Sequence, residues 1–413
     1  MPAVRLAAGW VLPIDRQPIP DGAVLVGLDG RIAAVGSDAG VPRPEGVPAR
    51  DFPDAAIVPG FVNVHTHLEL TDFAGQVEDD DFAAWIRRLR ELKDRCGTEE
   101  YLAAARRGLA DCWASGVTTI ADTGDRGVVI RVLAECGGSG IAYQEVFGPH
   151  PDQARESLDG LRMRVAELRR FESSRVRLGV SPHAPYTVSG PLYRGVSELA
   201  RTEKLPLAVH LAESRAETQL LRAADGPFAE AWRRRGIPLP ALPGRSPVAW
   251  LAEHGVLGEG TLCIHVVQVD REDVARLAAA GVAVAHCPLS NLRHGHGSAP
   301  LGSLLAAGLR IGLGTDSVVS VGRLELLAEA RAARTLGALS SERALALVTL
   351  DGARALGLAD EVGSLAPGKW GDVAIVRARD SQESPAEQVL AGVAEDIVAT
   401  YVGGRQVFGG RAA

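Results

Sequence analysis

His65, His67, His210, Glu213, His265 and Asp316 are the residues of this 413-residue chain whose types and spacing could run a metal-assisted hydrolysis. His65-Thr-His67 ends the apolar run AIVPGFVNVH (56–65), whose entry is marked by Pro59-Gly60-Phe61. Residues i and i+2 of a strand point to one side, so both imidazoles can face a single ion. His210, in PLAVHL (206–211), adds a third nitrogen donor, and Asp316, in Gly314-Thr315-Asp316-Ser317, adds a carboxylate. Aspartate is equally at home as a helix N-cap, so Asp316 draws its meaning from the histidines. Three imidazoles and one carboxylate form a set suited to one divalent ion: zinc first, with iron(II) or manganese also compatible. Such an ion lowers the pKa of its water from about 15.7 towards roughly 7. Asp316 can accept that water's proton, and His265, at the end of TLCIHV (261–266), can orient the water or polarise a substrate. Glu213 lies three residues beyond His210. Alone it reads as a surface glutamate; beside a liganding His210 it becomes a proton shuttle, and an acid/base step of that kind contributes roughly 10²–10⁴-fold.

These residues need a scaffold that brings distant strand ends together. Eight short β-rich runs occur between residues 56 and 316: 56–65, 117–122, 141–147, 176–183, 206–211, 261–266, 282–287 and 310–316. Ala/Leu/Arg-rich helical stretches such as 98–116 and 270–281 separate them. Alternating β and α over this length predicts an α/β fold with a closed (β/α)8 TIM barrel, which carries its chemistry at the C-terminal strand ends, where the histidines fall. The chain ends read differently. GAVLVGLDGRIAAVG holds a hairpin with its turn at Asp29-Gly30, while 371–378 and 398–410 read as strands, the latter turning at Gly403-Gly404. We therefore expect a small β-sandwich domain assembled from residues 1–56 and 360–413, flanking a barrel over 57–359. The proline-broken stretch 222–258 reads as an excursion that caps the site. The rest of the pocket wall is expected from 68–95 and 222–250.

Composition narrows the partners. The formal charge of −7 offers no basic footprint for nucleic acid or an anionic membrane. No apolar run approaches the roughly 20 residues of a membrane span. The five cysteines form no CxxC pair, which argues against a thiolate zinc site or a disulfide framework and fits a reducing, cytoplasmic setting. A small-molecule substrate is the expected partner, and the sequence leaves a homo-oligomer open. The lysines are Lys93, Lys204 and Lys369, and none ends a candidate strand.

Taken in order, PGFVNVHTH, SPHAPYT, HLAES, IHV, AHCPLSN and GTDS resemble the amidohydrolase superfamily, in its deaminase and chlorohydrolase branch. Within that branch the chain is similar to S-adenosylhomocysteine/5′-methylthioadenosine deaminases and to aminodeoxyfutalosine deaminases. The resemblance implies that His65, His67, His210 and Asp316 hold the metal, that Glu213 and His265 handle protons with Asp316, and that His183 contacts substrate. It implies structural support from Ser290 and Asn291, and His286 reads as structural too. The fourth strand ends without a lysine, so a carboxylated-lysine bridge is absent there and the site is expected to be mononuclear. Ribose-reading carboxylates follow a tryptophan in this group; here Trp85 precedes Glu91 and Asp94, either of which could serve. Glu69 replaces a small or apolar residue and is added to the substrate-contacting set. His294 and His296 are expected on a solvated loop. The implied activity is hydrolytic deamination of an aminated heterocycle, with the adenine of a 5′-substituted adenosine as first candidate. Guanine, pyrimidine or triazine deamination, chloride displacement and cyclic-amide hydrolysis are the rivals at the same metal site. A non-catalytic barrel should have lost ligands, and this chain keeps all four.

Overall fold

The computed structural model describes residues 3–78, 81–240, 244–378 and 382–409. Gly410, the last residue of the run 398–410, lies outside the described residues, as do residues 79–80 and 241–243 of the stretches expected near the pocket. Among the described residues, fifteen strands fall into two sheets. The first four are β1 (Val4–Val11), β2 (Ile19–Val26), β3 (Ile32–Ser37) and β4 (Ala49–Pro59). Eight follow: β5 (Phe61–Thr66), β6 (Val117–Gly124), β7 (Gly140–Val146), β8 (Val176–Pro182), β9 (Leu207–Leu211), β10 (Thr261–His265), β11 (Ala283–His286) and β12 (Arg310–Leu313). The last three are β13 (Val373–Arg377), β14 (Ile397–Val402) and β15 (Arg405–Phe408).

Strands from both chain ends share one mixed sheet in the order β15-β14-β13-β4-β1-β2-β3. The two turns read from sequence are there: Gly30 (φ +78°) between β2 and β3, and Gly403 and Gly404 (φ +56° and +75°) between β14 and β15. Positive φ at both central residues of a two-residue hairpin matches the strand twist, and glycine reaches it without strain.

β5 to β12 form the barrel, parallel and in sequence order. It closes where the amide of Asp316 donates to the His65 carbonyl at 3.0 Å and Thr66 bridges Asp316. The run 56–65 is divided between the sheets: it leaves β4 at Pro59 and enters the barrel at Phe61. Gly60 is the joint, because a Cβ there would collide with the buried Thr118 side chain. Val62, Ile141, Ala208, Leu262 and Ala283, one from each of five strands, meet in the barrel interior. A second layer packs outer strand faces such as Val209 and Cys263 against helix residues such as Leu109, Leu192 and Leu277. This filled interior is what fixes the strand ends in space.

One helix matters to the site. Phe82–Lys93 starts at Asp81, whose side chain accepts from the Ala84 amide, and Phe82, Trp85, Ile86 and Leu89 recur at helical spacing. That stripe faces the barrel mouth.

Candidate active site

His65 and His67 leave the end of β5 with ring centroids 4.8 Å apart, and His210, at the end of β9, sits 4.9 Å from His65 and 5.5 Å from His67. Asp316 completes the group: its Oδ1 lies 3.7 Å from His65 Nε2 and 3.5 Å from His67 Nε2. Three of the four are held from behind by hydrogen bonds. His67 Nδ1 donates to the Thr123 carbonyl at 2.8 Å and His210 Nδ1 to the His183 carbonyl at 3.3 Å, since a carbonyl can only accept. That tautomer leaves each Nε2 with a free lone pair, the arrangement a metal ligand needs. Asp316 Oδ2 accepts from the Ser290 hydroxyl and Oδ1 from the Ser317 amide, both at 2.5 Å.

The residues fit a divalent ion on two counts. Both ring nitrogens of His65 are buried and without a hydrogen-bond partner among the described residues, which is costly unless something else occupies the lone pair. Burial also holds the His65 and His210 imidazoles far below their ordinary pKa and lowers His67, the direction that favours the neutral, liganding form. Burial pushes the Asp316 carboxyl up, but His67, His265 and the Ser290 hydroxyl outweigh it and keep the group ionised. His65, His67 and Asp316 offer ligand atoms within 4.8 Å of one another, and so do His65, His210 and His265.

Glu213 and His265 stand beside this cluster. His265 Nε2 is 3.6 Å from Glu213 Oε1, and its ring lies 5.5 Å from that of His210. Strand alternation alone would send His265 to the side of Cys263, into the outer layer. A left-handed backbone at His265 (φ +73°) and Val266 (φ +52°) turns the ring to the barrel mouth, and Asn291 Oδ1 fixes its Nδ1 at 3.0 Å. Asp316 (φ +59°) and Ala212 (φ +53°) share that conformation. Non-glycine residues held there cost of order 1–3 kcal/mol each, and such strain clusters at functional sites. Burial raises the Glu213 carboxyl, but His265 and His296 overcome it and draw it to about 2. Glu213 therefore starts ionised and must take up a proton before it can deliver one.

The cluster opens into a cavity of about 280 Å³ walled by Phe82, Trp85, Phe147, His183, Tyr186 and Glu145, among others. Aromatic faces on several sides and a few convergent polar groups suit a flat heterocycle.

The Amidohydrolase family model matches residues 56–407. The chain belongs to the amidohydrolase family. It is 29% identical over 432 aligned positions to a 5-methylthioadenosine/S-adenosylhomocysteine deaminase of Symbiobacterium thermophilum, covering 99% of this chain and 94% of that one. It is 36% identical to an aminodeoxyfutalosine deaminase of Deinococcus radiodurans over 77% of this chain and 76% of that one. Among solved structures, a zinc-bound adenosine deaminase from Xanthomonas campestris superposes with a TM-score of 0.83 at 25% identity, over 98% of this chain and 92% of its own.

Other residues singled out in the sequence scatter around this amidohydrolase's cavity. His183 lines it, its Nδ1 2.8 Å from the Thr187 hydroxyl, and burial lowers its pKa to about 3. Trp85 and Asp94 line it as well, whereas Glu91 is exposed and does not. Glu69 does not itself line the cavity: it is buried, accepts from the Asp125 and Arg126 amides, and lies 3.6 Å from Lys93 Nζ. His286 is fully buried and does not line the cavity. The solvated loop expected for His294 and His296 is corrected: His294 lines the cavity and bonds the Ser320 hydroxyl at 3.1 Å, and His296 is buried. The excursion 222–258 supports the wall from outside, with Phe228 stacked on Tyr186 at 4.1 Å and Trp232 Nε1 donating to the Tyr186 carbonyl. Sequence reasoning missed Glu145 and Lys93. Glu145 had a signal, its place at the C-terminal end of β7. Lys93 had a weaker one, as a rare lysine in an arginine-rich chain.

Proposed function

We propose that this amidohydrolase is a metal-dependent hydrolytic deaminase whose substrate is the adenine ring of a 5′-substituted adenosine. The observation that carries the reading is Glu213: an ionised, buried carboxylate at the cavity wall, beside three imidazoles and an aspartate but outside that ligand set. Deamination of an aminopurine requires a proton at the ring nitrogen beside the attacked carbon, and a non-liganding carboxyl at the cavity wall can deliver it. The relatives named as adenosine-type deaminases support the same reading.

His65, His67, His210 and Asp316 would hold a divalent ion, zinc in our reading, which would supply an activated water nucleophile at neutral pH. The chain's own residues do the rest. The aromatic wall orients the purine, and Asp94, which lines the cavity, reads ribose hydroxyls in this proposal. A carboxyl oxygen of Glu213 takes one proton from the attacking water and passes it to the ring nitrogen next to the amine-bearing carbon. His265, fixed by Asn291, orients the attacking group, and Asp316, ionised, accepts a proton. A carbon–oxygen bond forms, the carbon–nitrogen bond to the exocyclic amine breaks, and ammonia leaves with the second proton. Known zinc deaminases on other folds use a non-liganding glutamate in the same way.

The test is incubation of zinc-loaded protein with adenosylhomocysteine, methylthioadenosine and aminodeoxyfutalosine, following ammonia release and the adenine-to-hypoxanthine absorbance change. Turnover of at least one, lowered roughly 10²–10⁴-fold by Glu213→Gln at unchanged zinc content, is expected. No turnover of any adenine nucleoside by the metal-loaded protein would refute the adenine reading.

A further inference from the structure

The Gly295-His296-Gly297 segment does something the proposed reaction has not yet used. Both glycines are left-handed, φ +65° and +93°, so the chain folds back on itself and carries the His296 ring inward. Its side chain is 5% exposed, and Nε2 lies 3.4 Å from Glu213 Oε1, slightly closer than the 3.6 Å approach of His265. That nitrogen is buried and makes no hydrogen bond among the described residues, so its donor capacity is left for the carboxylate 3.4 Å away. The backbone around it is pinned: the His296 amide donates to the Asn291 carbonyl at 2.9 Å, and the Gln268 side chain donates to the His296 carbonyl at 2.6 Å. Asn291 thus anchors both imidazoles that face Glu213, one through its side chain and one through its backbone. On its far side the His296 ring packs edge-on against Phe82, 4.5 Å away, the first residue of the helix over the cavity.

We propose that His296 is a positioning residue for Glu213, gripping the carboxylate from behind the cavity wall so that its other oxygen stays aimed at the ring nitrogen to be protonated. His296 does not itself line the cavity, so it acts through Glu213. A buried carboxylate flanked by one imidazole could swing; flanked by two on fixed backbone, it is held. Misplacing a catalytic group by about 1 Å can cost on the order of 10²-fold. The fold therefore uses its Gly-His-Gly turn for orientation.

This inference rests on the role given to Glu213, and two measurements separate their failures. The first needs no substrate. In zinc-loaded protein with ¹⁵N-labelled histidine, the His296 ring resonance, assigned by its loss in His296→Leu, should shift on Glu213→Gln. An unmoved resonance would overturn the contact whatever the substrate. The second is kinetic, on whichever nucleoside the parent turns over. His296→Leu should lower kcat about 10- to 100-fold with KM within about threefold. His296→Asn, which keeps a donor, should recover most of that loss. In the Glu213→Gln background, His296→Leu should cost less than about threefold more. The proposal is overturned if kcat survives His296→Leu within twofold, if Leu and Asn are equally damaging, or if His296→Leu costs the same factor without the Glu213 carboxylate.

Discussion

Replacing Lys93 with methionine should destabilise the protein strongly at pH 8 and only weakly at pH 5.5. Lys93 Nζ sits 2.8 Å from Asp125 and 3.6 Å from Glu69, with the Glu69 side chain 1% exposed and that of Asp125 27%. At an effective dielectric of about 20, unit charges 3.6 Å apart attract by roughly 5 kcal/mol. Breaking a buried pair by removing one partner costs about 3–5 kcal/mol, because the other charge is left uncompensated. Unfolding 413 residues carries an entropy of about 0.9 kcal/mol per kelvin, so the melting midpoint should fall by about 3–6 °C. The pH dependence follows from Glu69. Burial, opposed by Lys93, holds its carboxyl above the ordinary range. A carboxyl raised by folding contributes stability that is whole below its unfolded value and is lost as pH rises through the folded one. Removing Lys93 raises Glu69 further and deepens the loss at high pH. At pH 5.5 the variant's Glu69 is protonated, and only the part-exposed Asp125 pair is missed, worth about 1 kcal/mol or less. Scanning calorimetry at both pH values, at matched zinc, reads the difference. Glu69→Gln together with Lys93→Met should restore most of the pH 8 midpoint. Equal losses in single and double variants, or a loss independent of pH, would refute the reasoning.

Chelation should lower the midpoint by about 3 °C relative to protein in free zinc at a hundredfold its Kd, where binding contributes about 2.7 kcal/mol; calorimetry before and after zinc addition checks it. Ser290→Ala removes the hydroxyl that donates to Asp316 Oδ2 and should weaken zinc binding about 10- to 100-fold, measured by competition with a chromogenic chelator. Gly60→Ala forces a methyl into the Thr118 side chain and should cost about 1–3 kcal/mol by denaturant unfolding, partly restored by Thr118→Ala.

The sequence by itself determined the barrel and which donor side chains gather at its mouth. Alternation of β-rich and helical runs is a local property, and seven of the eight runs became barrel strands within a few residues of their expected bounds. His65, His67, His210 and Asp316 were legible because a parallel barrel places strand ends at one mouth, so their distance in sequence does not matter. The run 56–65 was read as one strand because its apolar pattern does not register the joint at Gly60; that joint is set by a side chain from β6. Orientation was also beyond the pattern. Period-two alternation points His265 into the outer layer, and only a left-handed turn, held by Asn291 from the short helix Pro288–Arg293 after β11, brings it to Glu213. Glu91 and Asp94 differ by less than one helical turn, yet only Asp94 reaches the cavity, because the docking of helix Phe82–Lys93 decides which side faces inward. Glu69, just after β5, and Lys93, at the end of helix Phe82–Lys93, come within 3.6 Å of each other, and Gly295 and Gly297 folded His296 behind Glu213. Local periodicity and spacing decide which elements form and which donors end them. Which side chains then meet, and which buried charges must be paired, is decided by long-range packing that a single local pattern does not encode.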